Sequence, residues 1–233
     1  GVAFRYLTLP GKIRTNLKIM DSASGLTTEF NEPGLTMNEA ALEGFLRLLR
    51  TESESSDYAV LSGRLPVGCE ADTYRRCMQA LSGKRCVLDA AGQALLLGVE
   101  EKPFLVKPNL PELEAVLDTP LRTLRSIRDA GLLLLKRGAQ NVVVSMGKYG
   151  AMLVNGDAAI YAPALQVQAR STVGAGDAMI GGILTGLETG LPLEEALRYG
   201  VAAGAASVMT DGTQLIRAAD FDTLLPKVTL QPV

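Results

Sequence analysis

The stretch Ser171-Thr-Val-Gly-Ala-Gly-Asp177-Ala-Met-Ile-Gly-Gly182 carries residue types that can handle a phosphoryl group. Gly174, Ala175 and Gly176 put little side-chain bulk over the backbone, so N–H groups there can approach an anion closely. Asp177 follows at once, and an apolar run from Ala178 to Leu187 follows the Asp, so the stretch reads as a loop that turns into a helix. A helix N-terminus offers unpaired N–H donors and the positive end of the dipole, which suits phosphate. A carboxylate at that place can take a proton from a hydroxyl while the backbone donors steady the phosphoryl group under attack. The same residues also describe an ordinary capped helix start whose small side chains allow close packing, and the stretch by itself leaves both open.

Three further groups have spacing that fits phosphate or metal. In residues 12–21 the alternation of a strand puts Ile13, Thr15, Leu17 and Ile19 on one face and Arg14, Asn16 and Lys18 on the other. That is either a solvated strand face or a phosphate reader, for which the planar fork of Arg is well suited. In Lys107-Pro-Asn-Leu-Pro-Glu112, Asn109 and Glu112 stand three apart at a helix start. They can face one hydrated Mg2+ directly or through water, or serve as a helix cap with an acidic first turn. Ser145-Met-Gly-Lys-Tyr-Gly150 is a glycine turn after a β-branched strand. It is not a Walker-A loop, which would need Gly at 142 and Ser or Thr at 149, where Val142 and Tyr149 stand.

Composition narrows the chemistry. The chain has 233 residues, 47% hydrophobic and 21% charged, enough for one large α/β domain with a sizeable core. A net charge of −2 and the absence of Trp argue against a nucleic-acid surface. With no His, Ser-His-Asp and Cys-His catalysis are excluded and a zinc site is disfavoured. Cys69, Cys77 and Cys86 show no Cys-x-x-Cys spacing, so reduced thiols and a cytoplasmic location are expected. The longest apolar runs are too short and too broken by glycine to span a bilayer, so no membrane partner is expected. The chain opens on Gly1 within a strand pattern, so an N-terminal part is expected to be missing.

The elements that must position these residues alternate. Strands are expected at 2–9, 12–21 and 26–31, separated by Pro10-Gly11 and by residues 22–25. Thr36-Met-Asn-Glu39 reads as a capping box opening a helix to about Arg50, with Ala41, Leu42, Phe45, Leu48 and Leu49 as its core face. A buried strand at 58–62, a helix at 70–81, a strand at 85–89, a short helix after Ala91 and a strand at 104–106 follow. Pro111 opens another helix, and 121–137, 177–190, 193–209 and 220–225 read as helices. Residues 141–145 read as a strand, and 151–155 with 159–162 as a hairpin around Gly156-Asp157. This rhythm implies a mostly parallel central sheet with helices on both faces, a small β-lid near the N-terminus, and a ligand site at the carboxyl ends of the strands.

In order and over nearly the whole chain, these motifs resemble the signatures of the ribokinase-like, phosphofructokinase-B family of sugar kinases. The resemblance implies a single ribokinase-like domain over residues 1–233, a three-layer α/β/α fold in which residues 1–31 contribute lid strands. It implies that Asp177 is the catalytic base and that Gly174, Ala175 and Gly176 form the anion hole. It places Lys107, Asn109, Ser145, Met146, Gly147, Lys148, Tyr149, Gly150, Thr172, Ala175 and Gly176 at ATP, and Asn109 with Glu112 at Mg2+. On the sugar side it implies Arg14, Asn16, Lys18, Gly63 and Asp177. The segment Ile-Arg14-Thr-Asn16-Leu-Lys18-Ile is similar to the Thr-Arg-x-Asn-x-Lys segment of the 1-phosphofructokinase branch, with Ile13 in place of Thr. Gly63-Arg64-Leu65-Pro66 stands where the family has Ser-Gly-Ser-Leu-Pro, so Arg64 replaces a Ser, and Ala90-Ala91 replace a hydroxyl pair.

The activity so implied is ATP-dependent phosphorylation of a phosphosugar, fructose 1-phosphate to fructose 1,6-bisphosphate, with tagatose-6-phosphate kinase or another phosphosugar kinase as the alternative within the class. A homodimer is left open. The family's opening strand with its sugar-binding Asp, and its Gly-Gly-Lys-Gly-type segment, have no counterpart. The other class is therefore a non-catalytic remnant that binds nucleotide or phosphosugar; weak nucleotide binding, little turnover and self-association are expected of this chain. A dehydrogenase fingerprint fails at Met179.

Overall fold

The computed structural model describes residues 2–21 and 27–233. The expected turn at 22–25 and the first residue of the expected strand 26–31 lie outside the described residues. An antiparallel ribbon comes first, β1 (Asn16–Met20) with β2 (Thr27–Asn31). Residues 2–9, expected as a strand, belong to no ladder among the described residues, and Val2, Phe4 and Tyr6 stand exposed. Alternation without a neighbour to take the backbone hydrogen bonds and without a face to bury does not hold a strand. Arg14 accordingly precedes β1 rather than lying in it.

Helix α1 (Glu39–Glu52) is capped by Asn38, whose side chain accepts the Ala41 N–H at 2.9 Å, and not by Thr36. Thr36 is held in an extended bridge to Val67, and the Met37 N–H donates to the Val67 carbonyl, which defers the helix start by two residues. Leu42 and Leu46 form its buried face, Leu46 being absent from the expected core set. The βα units that follow are β3 (Tyr58–Ser62), α2 (Thr73–Ala80), β4 (Arg85–Asp89), α3 (Gly92–Val99), β5 (Leu105–Val106), α4 (Leu110–Leu117), α5 (Leu124–Arg137) and β6 (Asn141–Ser145). Then come the hairpin β7 (Ala151–Asn155) and β8 (Ala159–Ala162), helices α6 (Ala175–Glu188), α7 (Leu193–Val208) and α8 (Ala218–Leu224), and the short β9 (Gln231–Pro232).

The central sheet runs β3-β4-β5-β6-β7-β8-β9. Strands β3 to β6 pair in parallel and the later pairs are antiparallel, so β3, β4, β5, β6 and β8 point one way and β7 and β9 the other. This is the expected mostly parallel sheet beside a small antiparallel one. Strand β3, expected to be buried, is the edge of the described sheet, and its Val60 is exposed.

Alternate residues of the inner strands point to opposite faces and divide the core in two. Leu88, Val106, Val142, Val144, Met152 and Val154 pack with α1 to α5. Val87, Leu105, Val143, Ala151 and Leu153 pack with α6, α7 and α8. Burial of such aliphatic side chains, at about 25 cal/mol per Å² of apolar surface, is the main force holding the three layers. Helices α6 and α7 come very close because small residues meet. A methyl added at Gly182 would stand 2.8 Å from the Ala203 Cβ and nearer still to the Tyr199 carbonyl oxygen. Among the described residues no helix is long and apolar enough to cross a membrane.

Candidate active site

Two cavities open at the carboxyl ends of the parallel strands. The first, of about 410 Å³, lies between the end of β6, the N-terminus of α6 and one face of α7. Its walls include Asn109, Ser145, Gly147, Lys148, Gly150, Thr172, Ala175 and Gly176, all of them sequence-predicted for ATP. Met179, Val201, Gly204, Ala205 and Val208 add an apolar wall from the two helices, which the small residues of α7 keep open. Residues Gly147–Tyr149 form a single 3-10 turn that ends at Gly150, with φ of +55° at Gly147 and +98° at Gly150. A side chain at Gly150 would collide with the backbone of Ala162 to Ala164, so the turn requires glycine there. Met146 and Tyr149, predicted with this turn, do not line the cavity: Met146 is buried in the core, and Tyr149 points outward beneath Lys148. A 3-10 turn sends successive side chains about 120° apart, so only part of it can face one ligand.

The predicted anion loop is a helix start. Gly174, at φ +78°, caps α6, which begins at Ala175, two residues before the predicted position. Gly176 and Asp177 lie in the first turn, where N–H groups have no intrahelical acceptor. Ser171 ties the loop down, its Oγ accepting the Val173 N–H and donating to the Gly212 carbonyl at 2.8 Å. Arg170 pairs with Asp211 at 3.0 Å. Asp177 itself is exposed.

The second cavity, of about 600 Å³, is bounded by the loop after β3, the end of β4, the start of α3 and Glu112. Gly63 and Arg64 line it beside Asp89. Asp89 closes β4 and was missed in the sequence. The available signal was an acidic residue ending an apolar strand at the carboxyl edge of a parallel sheet. Lys107, only 4% exposed, follows β5 directly and places Nζ 3.2 Å from Asp89 Oδ1. Burial holds the Asp89 carboxyl above its ordinary range; Lys107 opposes that shift and the charge of Asp177 adds to it. A methyl added at Gly176 would stand 3.1 Å from Lys107 Nζ, so this glycine leaves room for the lysine. Asp89, Lys107 and Gly176 thus form a seam between the two cavities, with Asp177 within electrostatic reach.

Asn109 and Glu112 make the capping box of α4. Asn109 Oδ1 accepts the Glu112 N–H at 2.9 Å, and Glu112 Oε2 accepts the Asn109 N–H at 2.8 Å. Asn109 faces the first cavity and Glu112 the second. Among the described residues no three Asp, Glu, Cys or His side chains converge on one point. Of the predicted lid residues, Arg14 packs its stem against Gly34, Asn16 pairs with Asn31, and Lys18 pairs in register with Glu29. Neither Arg14 nor Asn16 lines either cavity.

A family model described as pfkB family carbohydrate kinase matches residues 1–219. The chain is 36% identical over 220 residues to the 1-phosphofructokinase of Bacillus subtilis (strain 168), covering 94% of the chain and 71% of that protein. It is 38% identical over 227 residues to the 1-phosphofructokinase of Rhodobacter capsulatus, covering 96% and 72%. Among solved structures, phosphofructokinase-2 from Escherichia coli in complex with substrates and products matches with a TM-score of 0.81 and 34% identity, over 91% of this chain and 70% of that one.

Proposed function

The chain belongs to the pfkB family of carbohydrate kinases, and from this we propose that it moves the γ-phosphoryl group of ATP to a hydroxyl of a phosphosugar, fructose 1-phosphate in the first place. The observation that carries the reading is the seam: a small-residue cavity and a charged cavity meet where Gly176, Lys107 and Asp89 touch, under the first turn of α6. ATP would occupy the cavity of Gly147, Gly150 and Gly204, with its terminal phosphate toward the N–H groups of Gly176 and Asp177. The sugar would occupy the cavity of Gly63 and Asp89.

Asp177 acts as the base. It takes the proton of the acceptor hydroxyl, whose oxygen attacks the γ-phosphorus in line; the bond to the β–γ bridging oxygen breaks and ADP leaves. Gly174, Ala175 and Gly176 hold the transferring group through backbone dipoles, which need no reorganisation as charge develops. Lys107 stands at the same place, its charge shared with Asp89 at 3.2 Å. Mg2+, when bound, neutralises charge on the phosphate oxygens. Of the pair Asn109 and Glu112, the Glu112 oxygen that the capping box does not use would be free to hold the ion directly or through water, whereas Asn109 Oδ1 is taken up by the cap and faces the other cavity. Residues 1–233 are read as one kinase domain; Arg14, Asn16 and Lys18 are assigned to the sugar on the resemblance alone, since Arg14 and Asn16 stand outside both cavity walls.

The test is Asp177→Asn. The expected result is a loss of turnover of at least about a hundredfold with ADP affinity by calorimetry unchanged, because no His stands ready to replace the base. Near-normal turnover would reject the base. In a coupled ADP-release assay over fructose 1-phosphate, fructose 6-phosphate and tagatose 6-phosphate, fructose 1-phosphate is expected to give the highest kcat/KM. A preference for another phosphosugar would replace the acceptor and keep the chemistry.

A further inference from the structure

The second cavity has an uneven charge. Asp89 and Glu112 put two carboxylates in its wall, and Arg64 is the one cation among its lining residues. Lys107 lies 3.2 Å from Asp89 and offsets its charge, which leaves Glu112 as the uncompensated carboxylate of the wall. Arg64 makes no ion pair among the described residues. Its side chain is exposed, and its backbone is held by the residue before it. Gly63 is at φ +102°, which favours glycine, and the buried Tyr74 donates its hydroxyl to the Gly63 carbonyl at 2.7 Å. The loop is therefore pinned at the cavity wall with the guanidinium unspent. A phosphate dianion entering this cavity is repelled by the carboxylate side and has one place to go.

We propose that Arg64 reads the phosphate already carried by the acceptor sugar, and so makes the enzyme choose a phosphosugar over a free sugar. The inference rests on the kinase reading above and adds to it a specificity-determining residue. A guanidinium can take two phosphate oxygens through its planar fork, a geometry that a shorter hydroxyl or a lysine does not reproduce. With the phosphate on Arg64, the far end of the sugar lies toward Asp89 and the seam, where the base and the transferring group stand. Arg14, outside the cavity wall, does not supply this contact in the structure.

The experiment compares wild type with Arg64→Ala and Arg64→Lys on fructose 1-phosphate and on fructose. Loss of a charge-assisted contact predicts that Arg64→Ala lowers the ratio of kcat/KM for fructose 1-phosphate over fructose by about ten- to a hundredfold. KM for ATP should move less than about twofold, and Arg64→Lys should fall between the two because it keeps charge and loses the fork. A ratio within twofold of wild type, or an equal rise in the KM for ATP, would overturn the assignment. Calorimetric titration of fructose 1-phosphate without ATP separates this from the kinase reading. Tenfold weaker binding to Arg64→Ala supports the contact even if no chain turns over, whereas equal affinity, or no binding to wild type, overturns it.

Discussion

On the proposed reading, the two cavities would recognise charge in opposite ways. The nucleotide side is built from main chain and small residues: Gly147, Gly150, Ala175, Gly176 and Gly204 leave room, and the first turn of α6 supplies donors. The acceptor side is built from charged side chains at the tips of separate elements, Arg64 after β3, Asp89 at the end of β4 and Glu112 in α4. Backbone donors lie together in sequence and tolerate almost any ligand that presents phosphate. Side chains drawn from distant segments cost more to position but can discriminate between acceptors. On that reading, one half of the site would carry the general chemistry and the other the choice of substrate.

Lys107 is the point at which this division should break most severely. Lys107→Met leaves Asp89 largely buried without its partner, and breaking a buried pair costs about 3–5 kcal/mol. The expected outcome is a large fall in the denaturant midpoint together with loss of turnover, because the lysine lines neither cavity but stands between Asp89 of one wall and Gly176 of the other. Adding Asp89→Asn should restore much of the stability. If Lys107→Met were as stable as wild type, the two cavities would not share a seam.

A smaller effect should fall on one side only. Gly182→Ala forces a methyl between α6 and α7, and overpacking of this kind costs about 1–3 kcal/mol. Since both helices wall the nucleotide cavity, KM for ATP should rise more than KM for the sugar. Equal changes would mean that the helix pair shapes both halves.

The smallest effect belongs to the acceptor side and concerns pH. The folded protein holds the Asp89 proton more tightly than the unfolded chain does, because burial raises the carboxyl from 3.8. Asp89 therefore lowers stability above its raised pKa, and this penalty disappears as pH falls through that value toward 3.8. Measured against Asp89→Asn, wild type should gain relative stability on acidification across that window, with a slope of at most about 1.4 kcal/mol per pH unit. A difference that stays flat with pH would show that Asp89 is not desolvated in solution.

The same contrast explains what could be read in advance. The loop-to-helix transition at Gly174–Asp177, the turn at Ser145–Gly150 and the hairpin at Gly156-Asp157 were legible because glycines at fixed spacing dictate backbone geometry locally. The α/β rhythm was legible because period-2 and period-3.6 patterns alternate cleanly. Asp89 was not, since its meaning depends on Lys107 arriving from the next strand, and no local pattern records that. Asn109 and Glu112 left a cap and a metal site open; the structure makes the cap and directs the two side chains to different cavities. Thr36 looked like a cap, but a bridge to Val67 claims it. The two-residue β9 has too little sequence to declare itself before its neighbour β8 is in place.

Strand order has a consequence for how the molecule is assembled as it leaves the ribosome. From β3 to β8 each strand lies beside the one made just before it, so no pairing there waits for a remote segment. Contacts between near neighbours in the chain close early and at low entropic cost. The last pairing is different: β9 returns to β8 at Ile160 and Tyr161 from residues 231 and 232, and encloses α6 and α7 in the loop between. The acceptor cavity needs the chain only as far as Glu112, whereas the nucleotide cavity needs it as far as Val208. A nascent chain thus holds the residues that line the proposed sugar cavity while the last residues of the proposed phosphoryl-donor cavity are still being translated.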